Sequence, residues 1–141
     1  LAYMMPSIAP EELLTKILIK PWGIPYGYGF QEFARRHGDF AIAAVGCLLK
    51  LQDGVISEIA ISIGGVEDVP RRFIECEDVL RGSKYDIEEV KKQIIGPLDQ
   101  INYIDDSLVT GSYRQKLLKG LLVRSIEQAA SRANSLYIGR C

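Results

Sequence analysis

One histidine, His37, follows two arginines, Arg35 and Arg36, and these are the first groups in the chain that could move a proton or hold an anion. His37 has no serine or cysteine motif beside it that would identify a nucleophile partner, so it reads as a solvent-exposed histidine at a helix end. The two arginines could contact an anion, and at the end of a helix they also complement its dipole. Acids cluster at Glu75, Glu77 and Asp78, where a helix N-terminus would attract them. Asp105 and Asp106 are adjacent and would diverge on any regular element, which suits loop solvation better than an acid–base pair. Cys47, Cys76 and Cys141 are far apart and form no CxxC pair or spacing suited to zinc or an iron–sulfur cluster. Gly27-Tyr28-Gly29 begins like a dinucleotide fingerprint but lacks the third glycine, and no phosphate-binding P-loop is present. Tyr26, Tyr28, Phe30 and Phe33 could stack on a planar ring, although helix–sheet packing accounts for Phe30 and Phe33. By residue chemistry alone this is a soluble α+β domain.

Composition narrows the setting. The 141 residues suffice for one domain with a proper core. A hydrophobic fraction of 48%, a charged fraction of 25% and a net charge of −1 are ordinary globular values. They give no electrostatic footprint for nucleic acid or an anionic membrane. No apolar run approaches the roughly 20 residues that a spanning helix needs. No basic segment followed by an apolar one opens the chain, and Leu1 in place of methionine points to a fragment or a processed chain. Unpaired cysteines fit a reducing, cytoplasmic location.

Local patterns supply the elements. Ile17 and Ile19 alternate within residues 15–20 and predict a strand stopped at Pro21. Residues 22–29, rich in glycine, proline and tyrosine, form a loop. Phe30, Phe33 and Ala34 share a face at helical spacing, predicting a helix over 30–37 with Gly38 as its left-handed stop. Residues 40–51 read as an apolar strand buried on both faces. Asp53-Gly54 signals a hairpin, and the return strand 55–63 puts Val55, Ile59, Ile61 and Ile63 on one side. A third short strand is expected at 73–75 and a helical turn over 77–81. A helix capped by Asp86 follows over 87–95, stopped at Gly96-Pro97. The last helix, about 112–133, carries a stripe of Tyr113, Leu117, Leu121 and Ile126, with Leu118, Leu122 and Ala129 beside it. The fold class is α+β: an antiparallel sheet of three to four strands packed against about three helices.

Glu12-Leu13-Leu14-Thr15, then Phe30-Gln31-Glu32-Phe33-Ala34-Arg35-Arg36-x-Gly38-Asp39-Phe40-Ala41, then Asp53-Gly54, Gly64-Gly65-Val66, Pro70-x-Arg72 and Tyr113-Arg114-x-x-Leu117 occur in this order. Over residues 11–130 this wording resembles the C-terminal domain of the FAD-binding medium subunit of molybdenum hydroxylases, the xanthine dehydrogenase and carbon monoxide dehydrogenase type. The resemblance implies a domain over 11–134, preceded by a remnant of the FAD-binding domain over 1–10 and followed by a tail over 135–141. It implies an oxidoreductase whose flavin takes electrons from two [2Fe-2S] clusters and delivers them to NAD or another acceptor. A molybdopterin-binding large subunit and a two-cluster [2Fe-2S] small subunit would be its partners, with its own N-terminal FAD-binding domain and, as an option, a homodimer.

The same resemblance implies site residues. The backbone at Leu14 and Thr15 would line the flavin, a side chain at Gln31 or Glu32 would reach the ring, and the Gly38-Asp39 turn would lie near its acceptor face. Relatives often place lysine where this chain has Gln31 or Glu32. The arginines of Pro70-x-Arg72 and Tyr113-Arg114 are expected to be structural. The diphosphate-binding glycine segments are missing, so FAD is expected in the complete subunit and not in this chain alone. The competing reading is a non-enzymatic interaction or oligomerisation module.

Overall fold

Alternation of large and small residues builds the centre of the molecule. In the computed structural model, which describes residues 7–138, strand β2 (Ala43–Gln52) buries Ala43, Val45, Cys47 and Leu49 on one face and leaves Ala44, Gly46, Leu48 and Lys50 half-buried on the other. It pairs antiparallel with β3 (Val55–Gly64) in the register Val45↔Ile63, Cys47↔Ile61, Leu49↔Ile59, so that the isoleucines of β3 meet buried apolar side chains of β2 across the ladder. The turn between them holds Asp53 at φ 51° and Gly54 at φ 76°. Both are positive, as a type I′ hairpin requires.

The register slips next to this turn. Lys50 pairs with Glu58 and Leu51 with Ile56, which leaves Ser57 as an extra residue. The Ser57 hydroxyl donates to Lys50 O at 3.3 Å. The bulge reverses the parity of β3 at its start. Ile56 is therefore the fully buried side chain, and Val55, expected on the core face, is only half-buried.

Strand β1 (Gly27–Phe33) lies on the other side of β2, where the sequence pattern predicts a helix over 30–37. It pairs residue for residue with β2, from Gly27↔Leu49 to Phe33↔Ala43, and residues 34–42 form the connecting loop. Three apolar residues at helical spacing lost to a pairing site on the central strand. The signal that favoured a strand is the two-residue alternation of Tyr26, Tyr28 and Phe30 with Gly27 and Gly29. Phe30, at 59% exposure, is consequently no core residue.

The fourth strand, β4 (Arg71–Arg72), is two residues long and pairs with Ser62 and Ile63 of β3. The strand expected at 73–75 is instead a helix start. Phe73, fully buried, donates its N–H to Ile61 O at 2.8 Å, and α1 (Ile74–Leu80) begins behind it. Glu77 of α1, 1% exposed, then accepts the Ile61 N–H at 2.8 Å and a two-pronged bond from Arg72 at 2.8 and 2.9 Å. A carboxylate thus continues the ladder where the strand stops.

Asp86 caps α2 (Ile87–Gln93), accepting the N–H groups of Glu88 and Glu89 at 2.8 and 3.1 Å. Two of the helix's otherwise orphaned donors are satisfied in this way. The chain does not stop at Gly96-Pro97. It breaks at Ile94 and resumes as the single turn α3 (Ile95–Asp99), with Pro97 in a first turn where a missing N–H costs nothing.

Helix α4 (Gly111–Ile138) crosses the sheet on the side of the buried β2 and β3 side chains. Its inward stripe is rotated from the expected one: Arg114, Leu118, Leu122, Ser125, Ile126, Ala129 and Ala133 are buried, while Tyr113 is 44% exposed and Leu117 only half-buried. Small residues at Ser125, Ala129 and Ala133 set that rotation by bringing the helix backbone onto β1. A Cβ on Gly27 would lie 1.8 Å from Ala129 O, and one on Gly29 2.0 Å from Ser125 O.

All four strands are antiparallel in the order β1-β2-β3-β4, with the helices on one face. The strand expected at 15–20 is absent. Leu13, Leu14, Ile17, Leu18 and Ile19 are all exposed in an irregular segment that pairs with no strand among the described residues. A lone strand has no source of stability without an open edge to join. No described helix is long and apolar enough to cross a membrane. Of the expected flanking stretches, residues 1–6 and 139–141 lie outside the described residues.

Replacing Gly54 by valine forces a β-branched side chain to positive φ and should cost about 1–3 kcal/mol, read as a lower urea midpoint at unchanged m value. Gly29→Ala should cost a similar amount, about 1–3 kcal/mol, because the new methyl meets helix backbone that cannot rotate away. Unchanged midpoints would show that the protein has neither the I′ turn nor the close helix–strand contact.

Candidate functional site

The face of the sheet opposite the helices is open, and where β2 begins and β3 ends it carries small side chains. Phe30, Gly46 and Ser62 form one row across β1, β2 and β3, and Glu32, Ala44 and Gly64 form the next. The strip of Ala44, Gly46, Ser62 and Gly64 is a nearly flat floor. Loop 34–42, with Arg35, Asp39 and the 82% exposed Phe40, and residues 65–70 and 104–109 form walls beside it. The groove between these walls encloses about 950 Å³, and Phe30, Asp106, Leu108 and Arg114 complete its lining. That volume lies at the upper end of the usual range for small-molecule and cofactor sites.

Arg114 holds the walls together. Its guanidinium, on a side chain 4% exposed within α4, donates to Ile42 O at 2.8 Å, Gly65 O at 2.6 Å and Ile104 O at 3.1 Å, and to the Asp106 carboxylate. Gly65 fits there because its φ is +76° and its backbone runs against Ala41 O, where a Cβ would stand at 2.5 Å. Asp106 also accepts the N–H groups of Leu108 and Val109 at 2.7 and 2.8 Å, shaping the wall over 104–109. Those two N–H bonds, and after them the Arg114 charge, hold the Asp106 carboxyl below the usual carboxylate range. Asp105 accepts Gly111 N–H at 2.7 Å, so the adjacent acids diverge as structural caps.

The residues expected to form a site are only partly gathered here. Asp39 lines the groove, and Glu32 shares the row of Ala44 and Gly64 that forms its floor. Gln31, one residue away, turns to the helix side, with its amide nitrogen 3.5 Å from Gln128 Oε1. Gly38 sits in the loop with φ +89° and no neighbour within 4 Å of where its Cβ would be. Leu14 and Thr15 are exposed in the 11–20 segment and are not among the lining residues. Ser62 escaped a reading by motif, whereas Phe40 and Arg114 stood in the motifs without being assigned to a site, Arg114 as a structural arginine. The signal for Arg114 was a charged residue four positions before Leu118 in the apolar stripe of the last helix.

Other candidates carry no chemistry. His37, together with Arg35 and Arg36, lies in loop 34–42 and not on a helix end, and all three are exposed. Cys47 and Cys76 are buried, and burial pushes both thiols up to about 12. Neither is therefore a thiolate at neutral pH. No cluster of histidine, cysteine or acidic residues suited to a metal occurs among the described residues. Gly27 and Gly29 serve helix packing, which accounts for the aborted dinucleotide pattern.

The fold and this groove define an α+β domain with an open sheet face carrying a cofactor-sized site. Residues 28–129 match the family model described as CO dehydrogenase flavoprotein C-terminal domain, and the chain belongs to that family. It is 34% identical over 128 residues to the nicotine 6-hydroxylase medium subunit of Paenarthrobacter nicotinovorans, covering 91% of this chain and 44% of that one. Identity to the glyceraldehyde dehydrogenase medium chain of Sulfolobus acidocaldarius is 32% over 119 residues, covering 84% and 42%. The structure of CO dehydrogenase from Oligotropha carboxidovorans superposes with a TM-score of 0.71 at 26% identity, over 77% of this chain and 38% of that one. The chain thus spans less than half the length of the curated relatives it matches.

A depressed carboxyl contributes stability that is fully present above the unfolded-state pKa, about 4 for aspartate, and lost as pH falls through the lower folded value. The Leu108 and Val109 amide resonances should therefore hold their positions from pH 7 down to about 4, where the unfolded-state value lies, and move only below it. Movement between pH 5 and 7 would show that Asp106 is not the group that holds this wall.

Proposed function

We propose that this chain is the C-terminal domain of the FAD-binding subunit of a molybdenum-cofactor oxidoreductase, and that its grooved sheet face closes over the flavin. The observation that carries this is the coincidence of the groove with residues 30–41, the segment whose wording most resembles that family. Floor and walls suit one end of FAD. Ala44, Gly46 and Ser62 offer a flat surface to a planar ring, with Phe30 and Phe40 beside it. The described residues offer no glycine-rich strand-to-helix turn to cradle a diphosphate, so that end of FAD belongs to the preceding FAD-binding domain.

Bound FAD supplies the redox chemistry, taking electrons from [2Fe-2S] clusters on a small subunit and passing them to NAD or another acceptor. The small subunit and a molybdopterin-binding large subunit are the partners of this reading. This chain's residues shape the acceptor side: Phe40 and Asp39 stand at the wall, and Glu32 lies beside the floor. The exposed Leu13, Leu14, Ile17, Leu18 and Ile19 form an apolar run of the kind that marks a contact surface. They fit a segment completed by the rest of the subunit, with Leu14 and Thr15 reaching the flavin from there. Residues 11–134 are then the domain, with 1–10 and 135–141 flanking it. Unpaired buried cysteines agree with a cytoplasmic enzyme.

Titration tests the cofactor reading. The isolated chain should leave FAD fluorescence nearly unquenched, and the complete subunit should quench it at close to one equivalent. Stoichiometric quenching by this chain alone would overturn the division of the site. In the complete enzyme, Glu32→Lys should alter flavin reoxidation and leave substrate oxidation at molybdenum intact, because a positive charge beside the ring favours the anionic reduced form. Gln31→Lys, directed toward Gln128, should do less. Equal slowing of both half-reactions by Glu32→Lys would make this face mere scaffold.

A further inference from the structure

We infer that Arg114 is the positioning residue of the groove, fixing the separation of its walls and so the access of the electron acceptor to the flavin; this rests on the function proposed above. Its guanidinium makes four bonds, and each meets the chain at a point from which a wall springs. Ile42 O closes loop 34–42, Gly65 O follows β3, and Ile104 O and the Asp106 carboxylate begin the wall over 104–109. No smaller cation replaces this fork: a lysine ammonium carries its three donors at one point and cannot span three segments.

The place of the bond network separates it from ordinary core packing. Arg114 is at once a lining residue of the groove and 4% exposed, so its charge is committed to the chain and not offered to a ligand. Arg72 makes an ion pair of similar quality with Glu77 at the β4–α1 junction, yet neither residue lines the groove. The two pairs therefore give a comparison, with Arg114 buried on the walls and Arg72, 56% exposed, away from them. Removing Arg114 leaves the buried Ile42 carbonyl and its neighbours unsatisfied, and relaxation of loop 34–42 is the direct way to rehydrate them.

The test uses the complete flavin-loaded enzyme with Arg114→Lys, Arg114→Met, Asp106→Asn, Phe40→Ala and the comparison variant Arg72→Met. Readouts are the visible circular dichroism of the flavin, the thermal midpoint, and KM against kcat for a soluble dye acceptor. Both Arg114 variants should shift the flavin band and raise the acceptor KM about ten- to a hundred-fold, the scale of ångström misplacements at a reacting centre, with reduction by substrate unchanged. Asp106→Asn, which keeps one acceptor oxygen and leaves the core untouched, should move the same readouts less. Arg72→Met should lower the midpoint and leave band and KM alone. If Arg114→Met does not fold, Arg114→Lys and Asp106→Asn carry the same readouts. A band that responds to Phe40→Ala but not to Arg114 or Asp106 variants overturns the positioning role and leaves the proposed function standing. A band unmoved by Phe40→Ala as well overturns both. Equal effects of Arg72→Met and Arg114→Met reduce Arg114 to scaffold.

Discussion

Everything in this molecule is arranged around a helix backbone lying directly on a strand backbone. Gly27 and Gly29 remove the side chains from the inner face of β1, and Ser125, Ala129 and Ala133 thin the facing surface of α4. The approach brings Gln128 and Arg132 level with the outer edge of β1. Gln128 Oε1 then accepts the Phe30 N–H at 3.1 Å, and Arg132 donates to Tyr28 O at 2.7 Å while lying 4.0 Å over the Tyr28 ring. An edge strand with free N–H and C=O groups is a template for unwanted pairing, and here side chains of α4 occupy it. Without the two glycines the helix would stand off the sheet, and both the core and the edge closure would fail together.

Because all the helices collect on one face, the opposite face has only loops to cover it. At one end Trp22 approaches Lys50, whose ammonium lies 5.3 Å from the indole and 2.9 Å from Glu58. At the other end the walls bend over the floor without closing it. The small residues of the floor cost the sheet some packing, since Ala44, Gly46 and Ser62 offer little cross-strand contact. The face is left open, and the chain spans less than half the length of the relatives it matches.

The parts of this fold that were legible in the sequence are those decided locally. The Asp53-Gly54 hairpin, the Asp86 cap and the long last helix each depend on a few adjacent residues, and each stands where expected, apart from a longer α4. Patterns settled by distant partners were misleading. Residues 30–37 have helical apolar spacing, yet β2 offered an unpaired ladder and α4 a glycine-shaped seat. Residues 15–20 have strand alternation, yet α4 side chains occupy Tyr28 O and Phe30 N on the β1 edge, Glu77 occupies Ile61 N beside β4, and the segment pairs with no strand among the described residues. The bulge at Ser57 has no marker in the sequence, and it exchanged Ile56 for Val55 in the core. For the site, the family-like wording of residues 30–41 pointed to the region of the fold where the groove lies, but it could not separate Glu32 from Gln31. Only the parity of the strand puts one beside the floor and the other against the helix.

Two buried charges show how the open face is kept in shape. Glu77 and Arg114 are both almost wholly buried, and burial of an ion is unfavourable unless its hydrogen bonds are all made. Each offsets most of that cost by pairing with an opposite charge and by bonding backbone that regular structure leaves unsatisfied. Glu77 takes the Ile61 N–H beyond the short β4, and Arg114 takes the carbonyls of Ile42, Gly65 and Ile104 where three connections converge. Apolar replacements of equal volume would fill the same space but could not satisfy those groups. Packing therefore determines the helical side of the domain, whereas hydrogen bonding from single charged residues determines the course of its loops. The groove is formed by those loops, so its shape depends on a few directional bonds more than on the size of the core.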